Sequence, residues 1–122
     1  MILGIGVDIV DLERIKVMME RQPRFIDKCL TPNEKGQWEL CRTKKRKVEF
    51  LAGRFAAKEA FSKALGIGIG RLGFQDIEIR RNELGAPFII SQSTASNIVF
   101  LSLSHSDTYA IAQVVIEQSI QE

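Results

Sequence analysis

An α+β fold, a single small domain with a long central helix packed on a mainly antiparallel sheet, is what this 122-residue chain predicts, on three observations. The patterned segments run strand, then helices, then mostly strands, so the two kinds of structure are segregated along the chain. Residues 48–65 are apolar or small nearly all round, with Phe50, Leu51, Phe55, Phe61 and Leu65 pointing in several directions, and such a helix is central. Two strongly patterned strands, 98–104 and 109–117, are joined by His105-Ser106-Asp107-Thr108, which makes a hairpin. Residues 1–122 read as one domain, long enough for a real core.

Each element has its own warrant. In an extended reading of residues 2–10, Leu3, Ile5, Val7 and Ile9 share one face, while Ile2, Gly4, Gly6, Asp8 and Val10 share the other. Two glycines on one strand face imply that something approaches the backbone closely there. Asp11 can cap a helix with apolar positions Leu12, Ile15, Met18 and Met19, with Val10 and Ile15 placed as a staple. Thr31-Pro32-Asn33-Glu34 is a capping box with proline at the first helical position, so a helix starts there. After the long helix, glycines at 66, 68 and 70 end it and give a loop. Residues 74–80 alternate as a strand, Asn82-Glu83-Leu84-Gly85 turns the chain, and Ala86 to Ile90 reads as the next strand. Residues 91–97 are polar and ambiguous.

Composition narrows the function classes. A formal charge of +2 is too small for wholesale nucleic-acid binding. The positive residues are clustered, however: Arg42, Lys44, Lys45, Arg46 and Lys47 form one group, and Arg14, Lys16, Arg21 and Arg24 another. Cys29 and Cys41 are too few and too far apart for a zinc ribbon, and His105 is the single histidine. Free thiols in a reducing compartment, no signal peptide and no run of about 20 apolar residues point to a cytoplasmic protein without a membrane span.

Chemistry gathers at two carboxylates set among apolar and small residues, Asp8 in the first strand and Glu59 in the long helix. A carboxylate withdrawn from water is costly unless a cation meets it, and a shared divalent ion would answer for both. Mg²⁺ needs only one or two protein carboxylates, the rest of its shell coming from phosphate oxygens and water. At ~100° per residue, Val48, Ala52, Phe55, Glu59 and Lys63 share one sector, so Glu59 and Lys63 are neighbours in a poorly solvated stripe. An ordinary helix ion pair is the plainer alternative. The glycine run lacks a preceding strand and a Gly-Lys-Ser/Thr ending, so it is no P-loop. His105 has no triad company, and by itself reads more readily as a turn residue than as a base or phosphate ligand. The residues alone thus reach metal-assisted binding or transfer of a phosphorylated group.

At these residues the chain resembles the 4′-phosphopantetheinyl transferases, in particular their short bacterial, holo-acyl-carrier-protein-synthase type. Two motifs carry the likeness: Gly4-Ile5-Gly6-Val7-Asp8-Ile9-Val10 with Arg14-Ile15, and the stretch from Phe50-Leu51-Ala52-Gly53-Arg54 through Lys58-Glu59-Ala60-Phe61-Ser62-Lys63-Ala64. Leu30-Thr31-Pro32-Asn33-Glu34, Phe74-Gln75-Asp76-Ile77, Gly85-Ala86-Pro87 and Ser102-Leu103-Ser104-His105-Ser106 add weaker support. The resemblance implies the transferase fold and transfer of the phosphopantetheine arm of coenzyme A to a serine hydroxyl of acyl carrier protein, leaving adenosine 3′,5′-bisphosphate. It implies Asp8 and Glu59 as Mg²⁺ ligands, with Lys63 against the same phosphates and these three as the catalytic set. Arg46, Phe50, Arg54 and His105 would hold the nucleotide end, Arg46, Arg54 and His105 including its 3′-phosphate.

The same resemblance implies a homotrimer with each active site between two subunits. Glu59, or a water beside it, would accept the serine proton. Arg14, Arg21 and Arg24, with Met18 and Phe25, would dock the acidic carrier protein, a partner that fits this basic surface better than nucleic acid. One departure is visible. Related sequences often carry a basic residue between Gly85 and Pro87, and this chain has Ala86, so coenzyme A affinity is expected to rest more on residues 44–47. Two rival readings are a nucleotide- or RNA-holding module, which lacks interleaved aromatics beyond Trp38, and a purely structural trimer with buried ion pairs.

Overall fold

Two glycines fix how closely the sheet meets the long helix. The computed structural model describes residues 1–69, 72–94 and 96–120. Strand β1 (Ile2–Asp11) lies against helix α4 (Lys44–Leu65), and a Cβ built on Gly4 or Gly6 would fall 1.8 Å from the carbonyl oxygen of Ala64 or Ala60 respectively. No side chain fits there, so the close approach expected from the sequence is a main-chain contact.

Between these two elements run three shorter helices. Helix α1 (Leu12–Arg21) starts at Asp11, whose Oδ1 accepts from the Glu13 amide at 2.8 Å. Helix α2 (Arg24–Cys29) follows directly, and α3 (Pro32–Glu39) opens on the predicted capping box, with Thr31 and Glu34 exchanging both bonds. After α4 come a one-turn 3₁₀ helix (Phe74–Asp76), then β2 (Glu78–Arg81) and β3 (Pro87–Ile90). A second 3₁₀ turn (Gln92–Thr94) leads to β4 (Asn97–His105) and β5 (Tyr109–Gln118).

The main sheet has the order β1-β5-β4, antiparallel throughout, and β2-β3 form a separate hairpin. On the inner face of the sheet, register aligns Gly6 with Val114 and Leu101, and Asp8 with Ala112 and Leu103. The next inner row is Val10, Ala110 and His105. Val114, Ala112 and Ile116 are buried with Ala56, Ala60, Phe61 and Ala64 of α4 in one core. Small residues on the helix let this sheet face come close. The opposite sheet face exposes Leu3, Ile5, Val7, Ile9, Ile98, Phe100 and Ile111.

Several expectations need correction. The long helix begins at Lys44, four residues before position 48, because the Thr43 side chain caps it by accepting from the Arg46 amide at 3.1 Å. Three of its first four residues are Lys, which opposes the helix dipole and hid that turn from the sequence. Residues 74–76 are not strand. There Asp76 Oδ2 accepts from the Gly73 amide (2.9 Å) and the Gln75 amide nitrogen donates to the Leu30 carbonyl (2.7 Å), so local side-chain bonds displace the ladder. Helix α2 had no sequence signal. Gly66 caps α4 in the left-handed region at φ 77°, as expected, while Gly70 of the same run lies outside the described residues.

Candidate active site

The two carboxylates that the sequence singles out come within electrostatic reach of each other. Asp8 faces α4 from the inner side of β1, an edge strand, and the main-chain contact at Gly4 and Gly6 holds that strand against the turn bearing Glu59. Burial, and then the nearby Asp8 charge, push the Glu59 carboxyl above its usual range, with the Lys63 ammonium opposing. Lys63 Nζ donates to Asp8 Oδ1 at 3.2 Å and to the Val7 carbonyl at 3.0 Å. Lys63 therefore reaches across to β1 and is about half exposed, instead of lying with Glu59 in a poorly solvated stripe. One ammonium faces two carboxylates, a group with unspent negative charge.

Arg46, Phe50, Arg54 and His105 come together in a second place, a cleft of about 260 Å³ that also takes in Glu49, Ser104 and Arg81. Glu49 is its organiser: Oε1 accepts from Arg46 Nη1 at 3.1 Å, and Oε2 lies 3.5 Å from His105 Nδ1. The Arg54 guanidinium stacks on the Phe50 ring at 4.1 Å, and its buried Nε has no hydrogen-bond partner among the described residues. Burial lowers the Arg54 guanidinium to about 10, Arg81 adding to the effect and Glu34 opposing it. Three arginines and a histidine around one carboxylate suit a multiply charged anion. Sequence reasoning missed Arg81, which lines this cleft and donates from Nη1 to the Gly85 carbonyl at 2.7 Å. The signal available was its place next to the Gly85-Ala86-Pro87 departure.

The two places lie on opposite sides of α4. At ~100° and about 1.5 Å per residue, Phe50 and Glu59 are half a turn apart and ~13 Å apart along the axis. Of residues 44–47, only Arg46 enters the cleft; Lys44 pairs with Glu20, Lys45 with Asp107 at 3.5 Å, and Lys47 lies over the Trp38 ring at 4.3 Å.

A third surface is a groove of about 580 Å³ between α1, α2 and the 3₁₀ turn, lined by Met18, Arg21, Arg24, Phe25, Lys28 and Phe74. Arg14 is exposed on α1, outside the groove lining. Phe25 contributes only a floor, because its ring is buried against Phe55 with centroids 5.7 Å apart. Beneath this groove sits a buried pair the sequence did not disclose: Lys58 Nζ lies 2.6 Å from Glu34 Oε1, both side chains being fully inaccessible.

Among the described residues no group of three or more His, Cys, Asp or Glu gathers as a metal cluster. The Asp8–Glu59 pair still suits Mg²⁺, which takes one or two carboxylates and draws its remaining oxygens from phosphate and water. The like charges at the pair are the observation that calls for a cation.

The chain is similar to known proteins along nearly its whole length. The family model of the 4′-phosphopantetheinyl transferase superfamily matches residues 4–114. The holo-[acyl-carrier-protein] synthase of Bacillus subtilis is 57% identical over 120 residues, covering 97% of this chain and 98% of its own. A crystal structure of a holo-(acyl-carrier-protein) synthase from Bacillus anthracis in complex with CoA (3′,5′-ADP) is similar with a TM-score of 0.90 at 48% identity, covering 98% of this chain and 99% of its own. The Helicobacter pylori holo-[acyl-carrier-protein] synthase in complex with coenzyme A gives a TM-score of 0.79 at 36% identity, covering 93% and 99%.

Proposed function

The chain belongs to the 4′-phosphopantetheinyl transferase superfamily, and on that premise we propose how its own residues divide the work. It is an enzyme that transfers the 4′-phosphopantetheine group of coenzyme A to a serine hydroxyl of apo acyl carrier protein, releasing adenosine 3′,5′-bisphosphate. The meeting of Asp8 and Glu59 beside Lys63 carries the site assignment.

Asp8 and Glu59 would hold Mg²⁺, and the bound ion would supply charge withdrawal from the pyrophosphate of coenzyme A. In the reaction the serine Oγ–H bond breaks, an Oγ–P bond forms, and the P–O bond to the nucleotide breaks. Glu59, or a water beside it, takes the serine proton. Lys63 stabilises negative charge on the leaving phosphate. Arg46, Arg54 and His105 grip the nucleotide end with its 3′-phosphate, and Phe50 backs the Arg54 guanidinium. Arg14, Arg21 and Arg24 attract the acidic carrier protein beside Met18, with Phe25 under the groove.

A homotrimer completes the reading. The phosphate grip and the carboxylate pair face opposite sides of α4, so one coenzyme A reaches both most directly when neighbouring subunits contribute one each. The outer sheet face, apolar at Leu3, Ile5, Val7, Ile9, Phe100 and Ile111, offers the surface for that assembly. No helix among the described residues is long and apolar enough to cross a membrane, and we place the enzyme in the cytoplasm with its carrier substrate. The decisive experiment mixes the protein with coenzyme A and apo carrier protein, with and without Mg²⁺, and weighs the carrier. A phosphopantetheine-sized gain only with Mg²⁺ is expected; retention of nucleic acid without any gain would favour a binding module.

A further inference from the structure

Lys58 is the bulkiest fully buried side chain, it precedes Glu59 on α4, and the transfer chemistry above makes no use of it. Its ammonium has three donors and spends all three: on Glu34 Oε1 at 2.6 Å, on the Cys29 carbonyl at 2.6 Å and on the Phe74 carbonyl at 3.0 Å. Glu34 is equally committed. Its Oε1 also accepts from the Thr31 amide (2.8 Å) and its Oε2 from the Ile79 amide (2.9 Å). A buried ion pair is a poor route to stability, since apolar side chains of similar volume commonly do as well. What an apolar side chain cannot do is hold two main-chain carbonyls of different elements at fixed positions.

Those two carbonyls belong to the two walls of the basic groove. Cys29 is the last residue of α2, the helix bearing Arg24, Phe25 and Lys28, and Phe74 lines the facing wall. A second, outer fastening joins the same walls: the Gln75 side-chain nitrogen donates to the Leu30 carbonyl at 2.7 Å and the Asp27 carbonyl at 2.9 Å. Both walls are thereby tied to each other and, through Lys58, to the turn of α4 that presents Glu59.

We infer that Lys58 is a positioning residue for the carrier protein: it sets the groove at a fixed distance and angle from Asp8 and Glu59, so that a docked serine hydroxyl arrives where the pyrophosphate is held. The inference rests on the carrier-docking reading given above. The groove shares no lining residue with the cleft of Arg46, Arg54 and His105 that the reading above gives to coenzyme A, so loosening its walls should act on one substrate only. A lysine that merely held the fold together would affect both.

The test compares Michaelis constants for the two substrates in two variants. Lys58→Met combined with Glu34→Gln removes the ammonium and its carboxylate together; because Glu34 Oε2 also lies 3.9 Å from Arg54 Nε, this variant is read against Glu34→Gln alone. Gln75→Ala alters an exposed side chain and keeps the core intact. We expect the double variant to raise KM for carrier protein about 10-fold or more and Gln75→Ala about 3-fold, each lost charge-assisted or neutral bond counting on the usual scale. KM for coenzyme A should stay within about 2-fold of Glu34→Gln in the double variant and of wild type in Gln75→Ala, given that displacement at the groove is felt by the docked partner alone. Equal rises for both substrates, or a carrier KM that does not move, overturn the inference. If the double variant fails to fold, the split in Gln75→Ala decides. A wild-type chain that cannot load the carrier takes down both readings, whereas normal wild-type transfer with no split takes down this one alone.

Discussion

Lys58 and Glu59 are consecutive on α4 and their surroundings are opposites. Lys58 is wholly enclosed, and each of its donors has an acceptor from this chain. Glu59 is half-buried, and its nearest charged neighbours are a carboxylate of the same sign and one lysine already committed to Asp8. Where charge serves architecture, the chain completes its partners internally. Where the partners are left incomplete, as at Glu59, there is charge for a ligand to complete.

Glu59→Gln attacks the open side of this contrast and should show the largest effect. Turnover at saturating Mg²⁺ is expected to fall about 10²–10⁴-fold, the usual range for losing a positioned base. Without Mg²⁺ its melting temperature should match or exceed wild type, because the substitution relieves repulsion with Asp8. Lys58→Met alone attacks the closed side. It leaves Glu34 charged and buried without its ammonium and should cost about 3–5 kcal/mol in denaturant unfolding. If both variants lost stability alike, the distinction between the two neighbours would be wrong. The smallest effect is expected at Arg81, which sharpens the contrast at the second open site. Arg81→Gln removes one charge-assisted contact, so KM for coenzyme A should rise about 10-fold, while dephospho-coenzyme A, lacking the 3′-phosphate, is unaffected. Equal loss for both donors would move Arg81 out of the nucleotide grip.

The sequence disclosed the open site better than the closed one, for physical reasons. Asp8 and Glu59 stand out because each is a lone acid in an apolar run, and Gly4 and Gly6 betray the contact that unites them. The capping box at Thr31 and the β4–β5 hairpin carry local signals strong enough to read directly. Helix α2 does not: six residues give too little periodicity, and Pro23 supplies no side-chain cap. Lys58 escaped because its partners lie 24, 29 and 16 residues away, two of them as bare carbonyls that no residue type announces. A clue did exist, since at ~100° per residue Lys58 falls between Leu51 and Leu65 on its own helix face. The same arithmetic sets Arg46, Phe50 and Arg54 on the side of α4 away from Glu59 and Lys63.

The backbone contact at Gly4 and Gly6 has one more consequence. Because carbonyls of α4 rest directly on β1 with no side chain between, the spacing of the two backbones that carry Asp8 and Glu59 is a property of the polypeptide itself. Side chains elsewhere in the interior can be exchanged and repacked without moving the points from which the two acids spring.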